Sequence, residues 1–118
     1  SFDGYNTYAK VVKCYDGDTI HVIFKFNGKY QKFKIRLNGI DTPEIKADDK
    51  GATEAKDYIS HKILNKIIYL NCYKNDKYGR ILGEVFYCGT NLNLELIDKG
   101  LAIKYNGKGK KFKELTLG

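Results

Sequence analysis

The chain contains no Trp and no Met, a single proline, two histidines and two arginines. No apolar run approaches the ~20 residues that cross a bilayer as a helix, so no membrane partner is expected. Three cysteines, Cys14, Cys72 and Cys88, leave one unpaired and show no CxxC spacing, which argues against a structural zinc site. They read as free thiols in strands, with one possible disulfide that spacing does not assign. His21 and His61 are too few for a His-rich metal centre, and both read as surface residues. Without Met and with Ser1 first, the start reads as trimmed. A missing leader is therefore silent on compartment, and secretion after signal removal is the expectation.

What is present is a strongly basic chain of 118 residues with a net charge of +7. That length suits one domain with one modest core, and one domain over residues 1–118 is expected. The excess charge favours polyanions, nucleic acid first. Simple solubility is the plainer explanation of the charge. Of the 21 basic residues all but Arg36 and Arg80 are lysine. Arg offers a rigid fork for phosphate or carboxylate where Lys offers a flexible point charge, so two arginines among so many lysines ask for a reason.

The hydrophobic pattern predicts three opening strands. Tyr8 to Cys14 forms the first. Ile20, Val22, Phe24 and Phe26 alternate with His21, Ile23 and Lys25 in the second. Asn27-Gly28 is a hairpin signal, and Phe33, Ile35 and Leu37 face one side of the return strand. A polar loop from Gly39 to Gly51 follows. Ala52, Ala55, Ile59 and Ile63 recur at helical spacing in a helix expected to end near Lys66. Ile67 to Tyr73 and Ile81 to Tyr87 read as strands, and Leu92 to Lys99 as a short helix stopped by Gly100. The expected fold is mainly β with α: a five-stranded Greek-key barrel of the OB type with an inserted helix and a short second one. Val22, Phe24, Phe33, Ile35, Leu37, Ile59, Ile63, Leu70 and Val85 are expected in the core. Residues 1–7 and 106–118 are expected to be mobile tails.

Three segments carry candidate chemistry: Asp16-Gly17-Asp18-Thr19, then Arg36 through Glu44, then Asp76 through Arg80. Taken singly, each reads best as a turn or strand end with flanking charge. Together they supply a full set for metal-assisted phosphodiester hydrolysis. Asp18, Asp41 and the Thr42 carbonyl are hard oxygen donors, suited to Ca²⁺ or Mg²⁺ rather than zinc. Arg36 and Arg80 are able to fork onto a phosphate. Glu44 is able to orient or deprotonate water.

The segments DGDT, RLNGIDTPE and DKYGR, in that order and with a helix between the last two, resemble the staphylococcal nuclease family. The similarity runs from about Tyr8 to Tyr105. It implies an OB-fold barrel and a Ca²⁺-dependent endonuclease acting on DNA and RNA and leaving 3′-phosphate ends. It further implies that Asp18, Asp41 and the Thr42 carbonyl hold Ca²⁺. Arg36 and Arg80 would grip the scissile phosphate, with Glu44 as general base. Lys77 and Tyr78 match contacts to a terminal phosphate. Tyr105 matches a base-stacking tyrosine, with the spacing after Gly-Leu-Ala one residue shorter here. The loop after Glu44 is also shorter than in the type member. Exposed tyrosines favour single-stranded substrates, and a monomer is expected. Three rival readings remain: a nucleic-acid-binding module of the same fold without catalysis, a ribonuclease built on His21 and His61, and a lysine-rich binder whose tail from Lys104 to Lys113 holds phosphates nonspecifically.

Overall fold

A computed structural model describes residues 1–43 and 50–107 of the chain. Eight strands and two helices follow one another within these residues. They are β1 (Asn6–Asp16), β2 (Thr19–Phe26), β3 (Lys29–Leu37), β4 (Ile40–Asp41), α1 (Lys50–Ile63), β5 (Ile67–Asn75), β6 (Ile81–Tyr87), β7 (Thr90–Asn91), α2 (Leu92–Asp98) and β8 (Ile103–Lys104).

The main sheet runs β3-β2-β1-β5-β6-β7, and a parallel pairing of β3 with β6 closes five of these strands into a barrel. Consecutive strands pair antiparallel, and the closing pair joins strands far apart in sequence, which is OB-type Greek-key topology. The β2–β3 hairpin turns on Asn27 and Gly28, both at positive φ, as a two-residue hairpin turn requires. Gly83 sits where β6 crosses the interior. A Cβ there would meet Leu70 Cδ1 at 2.9 Å and Ile35 Cγ2 at 3.0 Å, so the close approach of β3, β5 and β6 depends on its absence.

The interior is filled by alternate residues of each strand. Val11, Ile20, Val22, Ile35, Leu37, Leu70 and Val85 are fully enclosed. Helix α1 packs against β1 and closes the barrel with Ala52, Ala55, Ile59 and Ile63. Its last turn gives way to Asn65 at positive φ, so it stops at Ile63, short of the Lys66 expected from sequence. Eight of the nine expected core residues are buried. Phe33 is half-buried instead, stacked on Phe24 at 4.1 Å at a barrel mouth that Phe2 covers.

That contact also corrects the expectation for the N-terminus. Residues 1–7 are not a loose tail. Phe2 and Tyr5 pack on the core, Gly4 N–H donates to Cys72 O, and β1 begins at Asn6. Aromatic residues too sparse to signal a strand still bury enough surface to hold this segment. Cys14 and Cys72 are buried thiols, whereas Cys88 lies exposed in the β6–β7 turn rather than in a strand. The expected tail beyond Gly107 lies outside the described residues.

Helix α2 begins at the N-cap Asn91, whose side chain accepts from Leu94 N–H. Its buried Asn93 is a staple. Asn93 Nδ2 donates to Asn38 O (2.9 Å) and Gly83 O (3.0 Å), and its Oδ1 accepts from Val85 N–H (3.1 Å). One side chain thus joins α2, β6 and the chain leaving β3. Replacing Asn93 by Ala leaves the buried Val85 N–H without its acceptor and Asn38 O without this donor, while Gly83 O keeps the Asn38 N–H. We expect a loss of about 2–4 kcal/mol of unfolding free energy, measured by urea denaturation.

Candidate active site

The turn between β1 and β2 carries Asp16 and Asp18. β3 delivers Arg36 beside it, because Thr19 pairs with Arg36 across the sheet. After Asn38 and Gly39 the chain forms β4, which pairs with β8 and brings Asp41 and Thr42 back toward the same turn. Leu37 N–H donates to Asp18 O (2.8 Å), fastening the turn to the end of β3. The turn packs tightly beneath α1. A Cβ on Gly17 would lie 2.6 Å from Ala55 Cβ and 2.9 Å from Thr42 Oγ1, so only glycine fits there.

Arg36 is the hub. Its Nη1 donates to Leu37 O (2.8 Å) and Ile40 O (2.9 Å), and its Nη2 donates to Asp41 Oδ1 (3.1 Å) while lying 3.4 Å from Asp18 Oδ2. The three side chains are each about nine-tenths enclosed. Asp18 is further held by Thr19 Oγ1, which donates to its Oδ1, and by Thr42 N–H, which donates to its Oδ2 (both 3.1 Å). Burial opposes the charge on Asp18. The Arg36 guanidinium and the hydrogen bonds from Asp16 and Thr42 outweigh burial and hold its carboxyl below the usual range. Asp16 takes the other half of this bargain. Burial, then its hydrogen bond with Asp18 and repulsion from it, pushes Asp16 up to about 7.

Arg80 arrives independently on the turn between β5 and β6. Asp76 Oδ1 accepts from Tyr78 N–H and Arg80 N–H, both at 2.9 Å, and Asp76 Oδ2 accepts from Arg80 Nε at 2.7 Å. The carboxylate therefore shapes the turn and aims the guanidinium at once. Among the described residues the two terminal nitrogens of Arg80 have no further partner, and the guanidinium lies 5.4 Å over the Tyr78 ring. Burial opposes ionisation of Asp76, but the bonds from Arg80 and Tyr78 hold its carboxyl below the ordinary range.

A cleft of about 640 Å³ joins these parts. Asp18, Arg36, Asp41, Thr42, Lys77, Tyr78, Arg80 and Tyr105 all line it. Tyr105 is placed by its N–H, which donates to Gly39 O (2.9 Å). Glu44 lies outside the described residues. Asp16, Asp76 and Tyr15 also line the cleft; the sequence placed Asp16 and Asp76 inside candidate segments without giving either a role, and it did not single out Tyr15. The i,i+4 spacing of Asp76 and Arg80 was the available signal for one of them. Neither His21 nor His61 lines this cleft.

The donor chemistry suits a hard cation. Asp18 and Asp41 are buried carboxylates fastened to one guanidinium, and Asp18 stays ionised despite its burial. No three His, Cys, Asp or Glu side chains cluster among the described residues. Asp18 and Asp41 are the two carboxylates here that would face a cation, and both already meet the Arg36 guanidinium.

The sequence model of a family described as staphylococcal nuclease homologue matches residues 34–116. An uncharacterized endonuclease of Haemophilus influenzae is 36% identical over 97 residues, covering 82% of this chain and 52% of its own length. An uncharacterized endonuclease of Escherichia coli is 34% identical over 99 residues, covering 83% and 61%. The staphylococcal-like nuclease CAN1 of Arabidopsis thaliana is 36% identical over 75 residues, covering 64% and 23%. The chain thus spans from 23% to 61% of the length of these relatives.

Two outcomes follow from the geometry. Arg36→Met removes the guanidinium that two buried carboxylates share. It should destabilise the fold by about 3–5 kcal/mol in chelator, measured by denaturant unfolding. Asp76→Ala should cost about 1–2 kcal/mol at neutral pH. Because the folded pKa of Asp76 is depressed, its contribution is fully present above the unfolded value of about 3.9 and is lost as pH falls through the folded value. The wild-type and Asp76→Ala stability curves should therefore converge at acid pH.

Proposed function

The chain belongs to the staphylococcal nuclease family, and from that premise we propose that it is a Ca²⁺-dependent endonuclease that hydrolyses the phosphodiester bonds of DNA and RNA and leaves 3′-phosphate ends. The observation that carries this reading is the convergence of the chain's only two arginines on one cleft with Asp18, Asp41 and Thr42.

The proposed division of labour follows from what each group already touches. Arg80, gripped through Nε by Asp76, keeps its terminal N–H groups for the phosphate oxygens. Three of the five N–H groups of Arg36 are engaged by carbonyls and Asp41, so it approaches the phosphate in a fixed pose with what remains. Donors fixed before substrate arrives stabilise charge on phosphorus-bound oxygen without reorganising during the reaction. Ca²⁺, held by Asp18, Asp41 and the Thr42 carbonyl, would polarise a phosphoryl oxygen and favour ionisation of water. Glu44, two residues beyond Thr42, takes the proton from the attacking water. The water oxygen bonds to phosphorus as the P–O5′ bond breaks, the leaving 5′ oxygen takes a proton from solvent, and the products are a 3′-phosphate and a 5′-hydroxyl. Lys77 and Tyr78, exposed at the rim, contact the neighbouring phosphate. Tyr105 stacks on a base, which favours unpaired strands.

Cleavage of single-stranded DNA and RNA should require Ca²⁺ and stop with chelator. Arg80→Lys and Glu44→Gln should each slow it at least ~10²-fold, Arg80→Lys because lysine replaces a forked donor by a point charge. Arg80→Lys cutting at the wild-type rate would remove the phosphate clamp from the mechanism. Binding without cleavage in any divalent ion would establish the noncatalytic binding module instead.

A further inference from the structure

The cleft alone is a poor magnet for a polyanion. Among the described residues that line it, the carboxylates Asp16, Asp18, Asp41 and Asp76 face only Arg36, Lys77 and Arg80. The chain's excess positive charge therefore resides elsewhere, and one face of the barrel holds a large share. Strands β1, β2 and β3 carry Lys10, Lys13, Lys25, Lys32 and Lys34 on this face, all exposed. Their only carboxylate is Asp16, at the cleft itself. The chain has 14 acidic residues, so their absence from this face is a matter of placement and not of scarcity. None of the five lysines forms an ion pair with a described residue. Solubility alone would be served equally by lysines interspersed with carboxylates, as on α1.

The register aligns these lysines into rungs. Lys13, His21 and Lys34 are neighbours across β1, β2 and β3, and Lys10, Ile23 and Lys32 form the next rung. Lys25 pairs with Tyr30 beyond them, its ammonium 5.9 Å over the ring. The convergence registers on His21. Burial, together with the positive field of Lys13, Lys34 and Lys32, holds its pKa below the usual value. The path from His21 to Lys25 covers about 13 Å at ~3.3 Å per residue.

The face is continuous with the cleft. Tyr15 lines the cleft, is half exposed, and lies parallel to the His21 ring with centroids 6.3 Å apart. Lys13 sits 5.7 Å over the same tyrosine. A stacking ring thus stands where the cleft opens onto the first lysine rung. Flat rings beside regularly spaced cations are what an unpaired strand requires: a surface for bases and charge for phosphates. A paired duplex has no free base faces to offer Tyr15.

We propose that the outer face of β1–β3 is an extended binding track for single-stranded nucleic acid, which carries the strand beyond the scissile phosphate past Tyr15 and along the lysine rungs. The proposal deepens the nuclease reading and rests on its substrate class, but not on catalysis.

The test is a salt series of binding, read by fluorescence anisotropy in chelator so that nothing is cut. The probes are a labelled oligothymidine of about 16 nucleotides and a labelled dinucleotide. The proteins are wild type, Lys13→Gln/Lys32→Gln/Lys34→Gln, and a charge-matched control, Lys56→Gln/Lys66→Gln/Lys99→Gln, on α1, the α1–β5 turn and the end of α2. The track variant should bind the long strand roughly 10-fold or more weakly. Its log–log salt slope should be shallower by about 2, since each lost phosphate contact removes about 0.7. Dinucleotide binding should be unchanged, and with Ca²⁺ the loss should appear in KM for long strands while kcat holds. An unchanged slope overturns the proposal, and so does an equal loss in the control. Tight, salt-dependent binding by a wild type that cleaves nothing would sink the catalytic reading and leave the track standing.

Discussion

The acidic half of the cleft hangs on the Arg36 guanidinium. It closes the β3–β4 turn through the carbonyls of Leu37 and Ile40, and it neutralises Asp18 of the β1–β2 turn and Asp41 of β4. Two buried carboxylates so near each other would repel, and one would take up a proton. Asp16 shows that outcome, with its carboxyl raised by burial and by Asp18. The guanidinium fits because it offers several donors in one rigid plane. An ammonium would satisfy the charge but not the two carbonyls and the carboxylate together.

Around this hub the barrel works as a frame. Glycine at position 17 lets the acidic turn pass beneath α1, and glycine at 83 lets β6 close on β3. Asn93 then ties the end of β3 to β6 and α2, so the strand that carries Arg36 is braced on both sides. Arg80 needs none of this. Asp76 folds its turn and holds it locally, four residues away. The two arginines are thus supported in different ways, one by the tertiary fold and one by its own hairpin. The cleft between them is nearly balanced in charge, and the surplus of lysine falls on the adjoining face of β1–β3.

Much of this was legible in the residues. Period-two alternation marked β2 and the later part of β3, because one face of each is buried and the other is wet, and apolar runs marked β5 and β6, with β3 and β5 extending further than expected. The helical spacing of Ala52, Ala55, Ile59 and Ile63 marked α1 for the same reason. The two-residue strands β4, β7 and β8 left no signal, since so short a pairing has no periodicity. Phe2 and Tyr5 read as tail because their partners, Phe24, Phe26 and Phe33, lie on distant strands. Phe33 has the parity of a core residue, but parity does not say how near a strand position lies to the barrel mouth.

The sequence by itself determined which groups were available for chemistry. Two arginines stood out against a lysine background, the acidic residues of three short motifs accompanied them, and hard oxygen donors were present without a thiolate or imidazole set. Only the tertiary structure decided which of those groups meet. Arg36 reaches Asp18 across a sheet register and Asp41 through a turn closed by its own guanidinium, and Arg80 joins them because β6 closes the barrel on β3. The lysine face was likewise invisible in the composition. A net charge is a sum over the chain, whereas attraction for a polyanion depends on where the charges stand and on which carboxylates are kept away.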